Sequence, residues 1–379
     1  MSDPAAPAKS CAAAMLKTRN GSCILRPSTM QTKPTRKERK AARRRELDLR
    51  PRQRERPGLG RRLRTAVAAI PQNLFLGLAL FVVPRLGRRG ELAVARVCGW
   101  LSSRRVWRYR RRAETNADLA LGASLDPARR REIARRSFDH VALVATDYFW
   151  FSRPGAGRFE RYVEVGDETA RRWLDGRFPG FFVTAHIGNW ELAARLVASR
   201  GRRLWSVYRP FGSGFVARRM RRFREAAGQF VIPREGAMRG VLRALRAGDS
   251  VAMVLDQHTD ARDGGVYLDF FGLPAGFSSV VGAVSHKLKL PILVVGMVRD
   301  EARDRYVFRT IREFTPDETA AAEPLELTRG VVAALEELVR RWPEQWIWSY
   351  RRWKRWPPGD DPARYPSYAR EDPLAPPIG

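Results

Sequence analysis

Residues 181–192 read FFVTAHIGNWEL, and the change of pattern inside this stretch decides the fold class. With Gly180 in front, the first half is the apolar run GFFVTA. A run of that length and composition is what a strand buried on both faces requires. From Asn189 the sequence becomes NWELAARLVASRG, a helical pattern with Asn189 in the N-cap position. His186 is therefore expected at the carboxyl end of a strand and Glu191 in the first turn of the following helix. In open α/β sheets that edge is where ligands bind.

The same alternation runs on in the chain. YVEV, LWSVY, SVAMVL, PILVVGMV and RYVFRTI are short β-type runs separated by helix-like segments. In MRGVLRALRAG, Met238, Val241, Leu242 and Leu245 share one face and Gly248 closes the end. The pattern predicts an α/β fold with a mixed, largely parallel sheet flanked by helices. A last amphipathic helix carries Val331, Leu335, Leu338 and Trp342 in register and stops at Pro343.

Upstream, residues 85–151 read as helical throughout, with Asp126-Pro127 as N-cap and first helical residue of a long segment. A single domain is expected over 85–358, with a helical part at 85–151 and an α/β part at 152–358. A Pro-rich tail follows at 359–379. Residues 61–84 include the uncharged run TAVAAIPQNLFLGLALFVVP, flanked by basic clusters. Such flanks suit a membrane-anchor helix, spanning or interfacial, better than a core helix. Residues 1–60 form a basic arm without apolar periodicity and are expected to be disordered.

The chain carries 71 Lys and Arg against 40 Asp and Glu, a formal charge of +31. Nineteen basic and five acidic residues fall in the first 64. A field of this sign attracts polyanions, whether anionic lipids, an acidic carrier protein or nucleic acid. Cys11, Cys23 and Cys98 show neither metal-ligand spacing nor a disulfide framework, which fits a reducing compartment.

His186 and Glu191 are five apart, which on one continuous helix would set them about 140° apart. The helical zinc motif H-E-x-x-H is thereby excluded. With a turn between them, the Glu191 carboxylate is expected to fold back on the imidazole, fix its tautomer and stabilise the imidazolium. No G-x-S-x-G elbow occurs and the cysteines lie far away, so the base would act on a hydroxyl of the substrate. The alternative is a His186 that hydrogen-bonds a nearby carbonyl and a Glu191 that serves the helix dipole. A lone H-x4-E pattern also arises by chance.

Four separated motifs, AHIGNWE, VYRPF, VLDQHTDARDGGVYLDFFGLPAGFSS and PEQWIWSYRRWK, occur in order between residues 185 and 354, within a resemblance that covers about residues 65–356. Together they resemble the bacterial lipid A biosynthesis acyltransferase family, within the glycerolipid acyltransferases that share an H-x4-D/E motif. The resemblance implies a glycerolipid acyltransferase-like fold. It also implies transfer of a fatty acyl chain from acyl carrier protein, or acyl-CoA, to a hydroxyl of a lipid A precursor or related anionic glycolipid. His186 would be the general base and Glu191 its partner, with no cofactor and no metal. The setting implied is the cytoplasmic face of the inner membrane, with acyl carrier protein, the lipid acceptor and membrane lipids as partners.

By the same match Arg209 in YRP and Asp256 in LDQ are substrate-region residues. Arg209 has the planar fork for a phosphate or carboxylate, or is one surface arginine of an arginine-rich chain; Asp256 ends the run SVAMVL on the same sheet edge as His186 and would orient a substrate or Arg209, or simply cap a turn. In WIWSYRRWKRW the aromatics suit headgroup depth, and Arg351 and Arg352 are candidate lipid-phosphate ligands. Ser349-Tyr350 stands where many family members carry a His, which bears on the acceptor. Asp256, His258, Asp260 and Asp263 suggest a calcium loop only superficially, since Ala261 and Tyr267 occupy the Gly and Glu positions. Ser278 and Ser279 offer an anion-binding helix start or plain N-capping. Residues 213–228 are expected to form a basic helix, with Met220 and Phe223 facing inward, that presents either a solvated charged face or a surface suited to an acidic carrier or lipid phosphates. Other acceptors, such as a lysophospholipid or a phosphatidylinositol mannoside, remain open. A nucleic-acid-binding role has only the charge and aromatics behind it, with no recognition motif, so no nucleic acid is expected.

Overall fold

The computed structural model describes residues 77–153, 157–176, 178–208, 214–226, 228–234 and 236–376, without the side chains of 214–217, 219 and 220. The basic arm at 1–60, most of the expected anchor at 61–84, and Arg209 lie outside the described residues. Residues 77–82 are helical and run into a short 3-10 turn, Val83–Arg85. Among the described residues no helix is long and apolar enough to cross a membrane.

The α/β expectation holds, and the central sheet is mostly parallel. Its strands are β1 (Val163–Val165), β2 (Gly180–Thr184), β3 (Leu204–Tyr208), β4 (Gln229–Pro233), β5 (Ser250–Val254), β8 (Ile292–Asp300) and β9 (Arg305–Phe314), with β6 (Gly265–Phe270) and β7 (Leu273–Ser278) in a separate hairpin. The seven-stranded order is β1-β9-β8-β2-β5-β3-β4, and only the β8–β9 pair is antiparallel. From β2 the chain crosses to β3 on one side, while from β5 it crosses to β8 on the other. The carboxyl ends of β2 and β5 thus lie at a reversal of strand order, the usual place for a ligand crevice.

The run GFFVTA is apolar throughout because both faces of β2 are covered. Phe181 and Val183 enter one buried cluster, with Val294, Leu335 and Trp346, and Phe182 enters the other, with Trp173, Leu192 and Leu293. That is the period of two expected of a strand. Asp126 caps the helix Pro127–Trp150 through Ala128 N and Arg129 N, and Pro127 sits in its first turn. Three further helices pack on the sheet: Ala237–Arg246, Val280–Leu288 and Pro324–Arg341.

The C-terminal aromatics depart from expectation. Trp346, Trp348 and Trp353 are at most 2% exposed, so they are core residues and not an interfacial belt. Their nonpolar area is covered by Phe270, Phe271 and one another. The Pro-rich tail packs as well. Its Arg370–Glu371 pairs with Arg355–Trp356, and the Asp372 carboxylate accepts from Ala261 N and the Tyr267 hydroxyl.

Candidate active site

In-register pairing of β2 with β5 matches Thr184 to Val254. Two residues further on, the chains deliver His186 and Asp256 side by side. Asp256 Oδ1 lies 2.7 Å from His186 Nδ1, and Oδ2 accepts from the His186 backbone N at 2.9 Å. Oδ2 also accepts from Trp346 Nε1 at 2.7 Å. Asp256 is buried, while 22% of the His186 side chain is exposed. The other ring nitrogen, Nε2, has Gln257 Nε2 at 3.4 Å, and the Trp190 ring stands edge-on at 5.1 Å.

Burial works against a charged imidazole, but the Asp256 charge and hydrogen bond outweigh it, and the His186 pKa lies above the ordinary histidine value. Burial likewise opposes the Asp256 charge, yet His186 and the donors around it hold the carboxyl below its usual range. A base backed in this way takes a proton at Nε2 while Nδ1–H stays on the carboxylate.

Glu191 does not fold back on the imidazole as expected. Its carboxylate receives a two-pronged ion pair from Arg224, Nε at 3.0 Å and Nη2 at 2.5 Å. The reason is position: Asp256 already occupies the Nδ1 side, and Glu191, in the first turn of Trp190–Ser199, faces the basic helix Gly214–Ala226. Arg224 also covers the Tyr208 ring at 4.8 Å, and Glu191 keeps its guanidinium charged against burial. From that helix, the Phe223 ring packs at a tilt against Tyr148, with centroids 4.2 Å apart, in line with its expected inward position; the Met220 side chain lies outside the described residues.

The turn between strand and helix is held from several sides. Gly188 sits at φ 56°, and a Cβ there would overlap the Met297 carbonyl. Gly188 N donates to Gln345 O and Asn189 N to Met297 O. The Asn189 side chain caps Leu192 N and donates to Asp147 Oδ2 at 3.1 Å. Asp147, fully buried, belongs to a charged cluster in which Arg88 Nη1 reaches both Asp147 and Glu91 at 2.7 Å, and Tyr306 donates to Asp147. Burial and the Asp147 charge push Glu91 up to about 7. Through this cluster the helix Arg88–Arg105 is tied to the turn that carries His186.

Arg351 is exposed and lies 5.9 Å from the Tyr368 ring. Arg352 is fully buried, so it does not offer its charge to a headgroup at the surface as expected. Both its Nη atoms donate to Gly276 O, and it stacks on Phe277 at 3.9 Å. Ser279 spends its hydroxyl on Gly264 O, leaving it no cap for the helix behind it. His258, Asp260 and Asp372 bring ligand-type atoms within 4.8 Å of one another. Lys354 and Arg355 already stand 3.5 and 3.4 Å from Asp260, so protein cations meet the charge there.

Trp346, Arg224 and Asp147 escaped the sequence reading as site-building residues, whereas Asn189 caps the helix as expected. The one signal that could have joined His186 to Asp256 is that each lies two residues beyond the end of a strand in the same parallel sheet.

A histidine backed by a buried carboxylate, with no protein nucleophile among its described neighbours, has the chemistry to activate a substrate hydroxyl. Comparison with known proteins gives that chemistry a class. Residues 65–355 match the family described as bacterial lipid A biosynthesis acyltransferase. The lipid A biosynthesis palmitoleoyltransferase of Escherichia coli (strain K12) is 28% identical over 225 residues, covering 58% of this chain and 70% of that one. A lipid A biosynthesis acyltransferase of Shigella flexneri matches to the same extent. The protein is thus an acyltransferase. It belongs to the bacterial lipid A biosynthesis acyltransferase family.

Proposed function

We propose that the protein is a membrane-associated O-acyltransferase. It moves a fatty acyl chain from acyl carrier protein, or acyl-CoA, to a hydroxyl of a lipid A precursor or related anionic glycolipid. Its place is the cytoplasmic face of the inner membrane, and the reaction draws on no cofactor. The observation that supports this reading is the His186 Nδ1–Asp256 contact of 2.7 Å, which leaves Nε2 as the basic nitrogen.

In this mechanism Nε2 removes the proton of the acceptor hydroxyl as its oxygen attacks the thioester carbonyl. The tetrahedral oxyanion collapses, the C–S bond breaks, and the imidazolium returns its proton to the departing thiolate. An ester and a free thiol are formed. Asp256 orients the ring and stabilises its charged form. Glu191 acts one step back, by holding Arg224 beside the site, while Arg209 and Arg351 supply positive charge for the acceptor phosphate. His186→Ala should lower turnover by about 10³-fold or more with the fold intact by circular dichroism. Turnover within a few-fold of the parent in a folded variant would remove His186 from the chemistry. Mass spectrometry of total lipids with and without the gene identifies the acceptor and the chain.

A further inference from the structure

We propose that the outer face of the helix Arg88–Arg105, continued by the start of Trp107–Leu121, is a docking surface for anionic lipid headgroups. The proposal stands on exposure and charge and is independent of the chemistry assigned to His186. The first helix buries Arg88, Glu91, Ala95, Gly99 and Ser103. At about 100° per residue these share one side, and Val97, Trp100, Leu101 and Arg104 project about 170° away from it. An outward face of a globular protein should be polar there. Instead Val97 is 56% exposed and Trp100 50%, and the next helix opens with Trp107 at 61%.

The charge around this stripe selects the occupant. Residues 92–113 contain seven arginines and no acidic residue. Arg104 lies 4.6 Å from the Trp100 ring and Arg111 5.9 Å from the Trp107 ring. Indole rings at the depth of headgroups, flanked by cations that reach phosphates, are the composition of a helix lying in the plane of an anionic bilayer. The Trp-rich C-terminal segment, which has this composition in sequence, is spent in the core.

The platform is also bonded to the site. Asn116 donates to the Trp348 and Tyr350 carbonyls at 2.7 Å, in the segment whose Trp346 holds Asp256. Arg88 holds Asp147, which receives the Asn189 amide. A surface resting on lipid would thereby keep His186 at a fixed station relative to a membrane-embedded acceptor.

The test uses the full chain with Cys11, Cys23 and Cys98 changed to Ser. Val97→Cys, Trp100→Cys, Trp107→Cys or, as a control on another helix, Arg329→Cys then carries an environment-sensitive fluorophore. Vesicles are phosphatidylcholine with or without phosphatidylglycerol. Labels at 97, 100 and 107 should shift to the blue and be quenched by brominated acyl chains only when phosphatidylglycerol is present, with reversal by salt; the label at 329 should not respond. Trp100→Gln with Trp107→Gln should weaken vesicle binding by about tenfold or more without loss of helicity. The proposal is overturned if the chain sediments with vesicles while these labels stay unchanged, as an anchor elsewhere in the chain would produce. It is equally overturned if anionic vesicles are not bound, if the labels are blue-shifted before vesicles are added because another segment or a second copy covers the face, or if the double variant binds as tightly as the parent.

Discussion

Replacing Asp256 by Asn tests the site most directly, because the carboxylate serves three donors at once and an amide cannot. Oδ1 takes the His186 ring at 2.7 Å, and Oδ2 takes the His186 backbone N and Trp346 Nε1 at 2.9 and 2.7 Å. If the amide nitrogen stood at the Oδ2 position, it would confront two N–H donors. Placed at the Oδ1 position it confronts only the ring, and the conflict vanishes if Nδ1 becomes an acceptor. The variant should therefore keep its backbone and Trp346 bonds and turn the imidazole into the tautomer with its proton on Nε2, where it no longer accepts one. A misplaced tautomer costs about 10³–10⁴-fold in turnover, as the corresponding change does in serine proteases, or about 4–5.5 kcal/mol of transition-state stabilisation. Folding stability should fall by only about 1 kcal/mol, the scale of one exchanged hydrogen bond.

The pH profile carries a second signature. Asp256 raises His186, so the neutral base accumulates only above the usual histidine range, and kcat/KM of the parent should climb with pH through that raised value. Removing the carboxylate charge moves this limb down by about one to three pH units. Stability follows the same linkage. The raised His186 contributes fully below its unfolded pKa, and the contribution is lost as pH rises through the folded one. The lowered Asp256 contributes above its unfolded pKa and loses that as pH falls. Single-turnover acyl transfer across pH, with unfolding followed by circular dichroism, measures both. The reasoning fails if Asp256→Asn leaves turnover within threefold and the limb in place, above all if Glu191→Gln shifts them, since Glu191 would then be the working partner of the ring.

Two further substitutions probe the supports. Gly188→Ala forces a side chain into a left-handed residue against the Met297 carbonyl, and should cost about 2–4 kcal/mol in urea unfolding; an unchanged midpoint would show that the turn can relax. Arg352, whose pKa burial pulls down to about 10, should behave as a core residue. Arg352→Met should lower stability by about 1–3 kcal/mol through the Gly276 carbonyl it abandons while leaving the acceptor KM unchanged. A raised KM at undiminished stability would give Arg352 back its headgroup role.

The strands legible in the sequence are those whose apolar runs fill the two faces of the sheet, β2, β5 and β8 above all. Two features were not. β4, read from QFVIP, is an edge strand with a polar start and a terminal Pro233, so it lacks the buried run that marks a central strand. The β6–β7 hairpin turns through Phe271 and Gly272, both at positive φ. The conformation is that of a tight hairpin turn, but a phenylalanine there hides the usual Asn-Gly or Asp-Gly signal. At the site, the H-x4-E spacing was visible and the His186–Asp256 pair was not, because a five-residue spacing is local while the pair depends on the register of strands seventy residues apart. Composition misled in the tail for a related reason. Alternating Trp and Arg describe an interface or a core in which Arg352 stacks on Phe277, and only packing separates the two.

The two carboxylates near His186 therefore do different work. Asp256 sits behind the ring and sets its proton; Glu191 stands in the next helix and draws in Arg224. If Glu191 turned to the ring, Arg224 would be left as a largely buried cation without its partner, which is strongly unfavourable. If Asp256 left it, Trp346 and the His186 backbone N would lose their acceptor together. Each pairing is thus guarded by the cost of breaking another. Meanwhile Met297, Gln345 and Asp147 pin the intervening turn from β8, from the C-terminal segment and from the helical layer. In the proposed mechanism a base fixed on so many sides would meet the transition state with little reorganisation of its own. On that proposal, the motion that brings hydroxyl and thioester together is left to the lipid, the acyl donor and the surfaces that hold them.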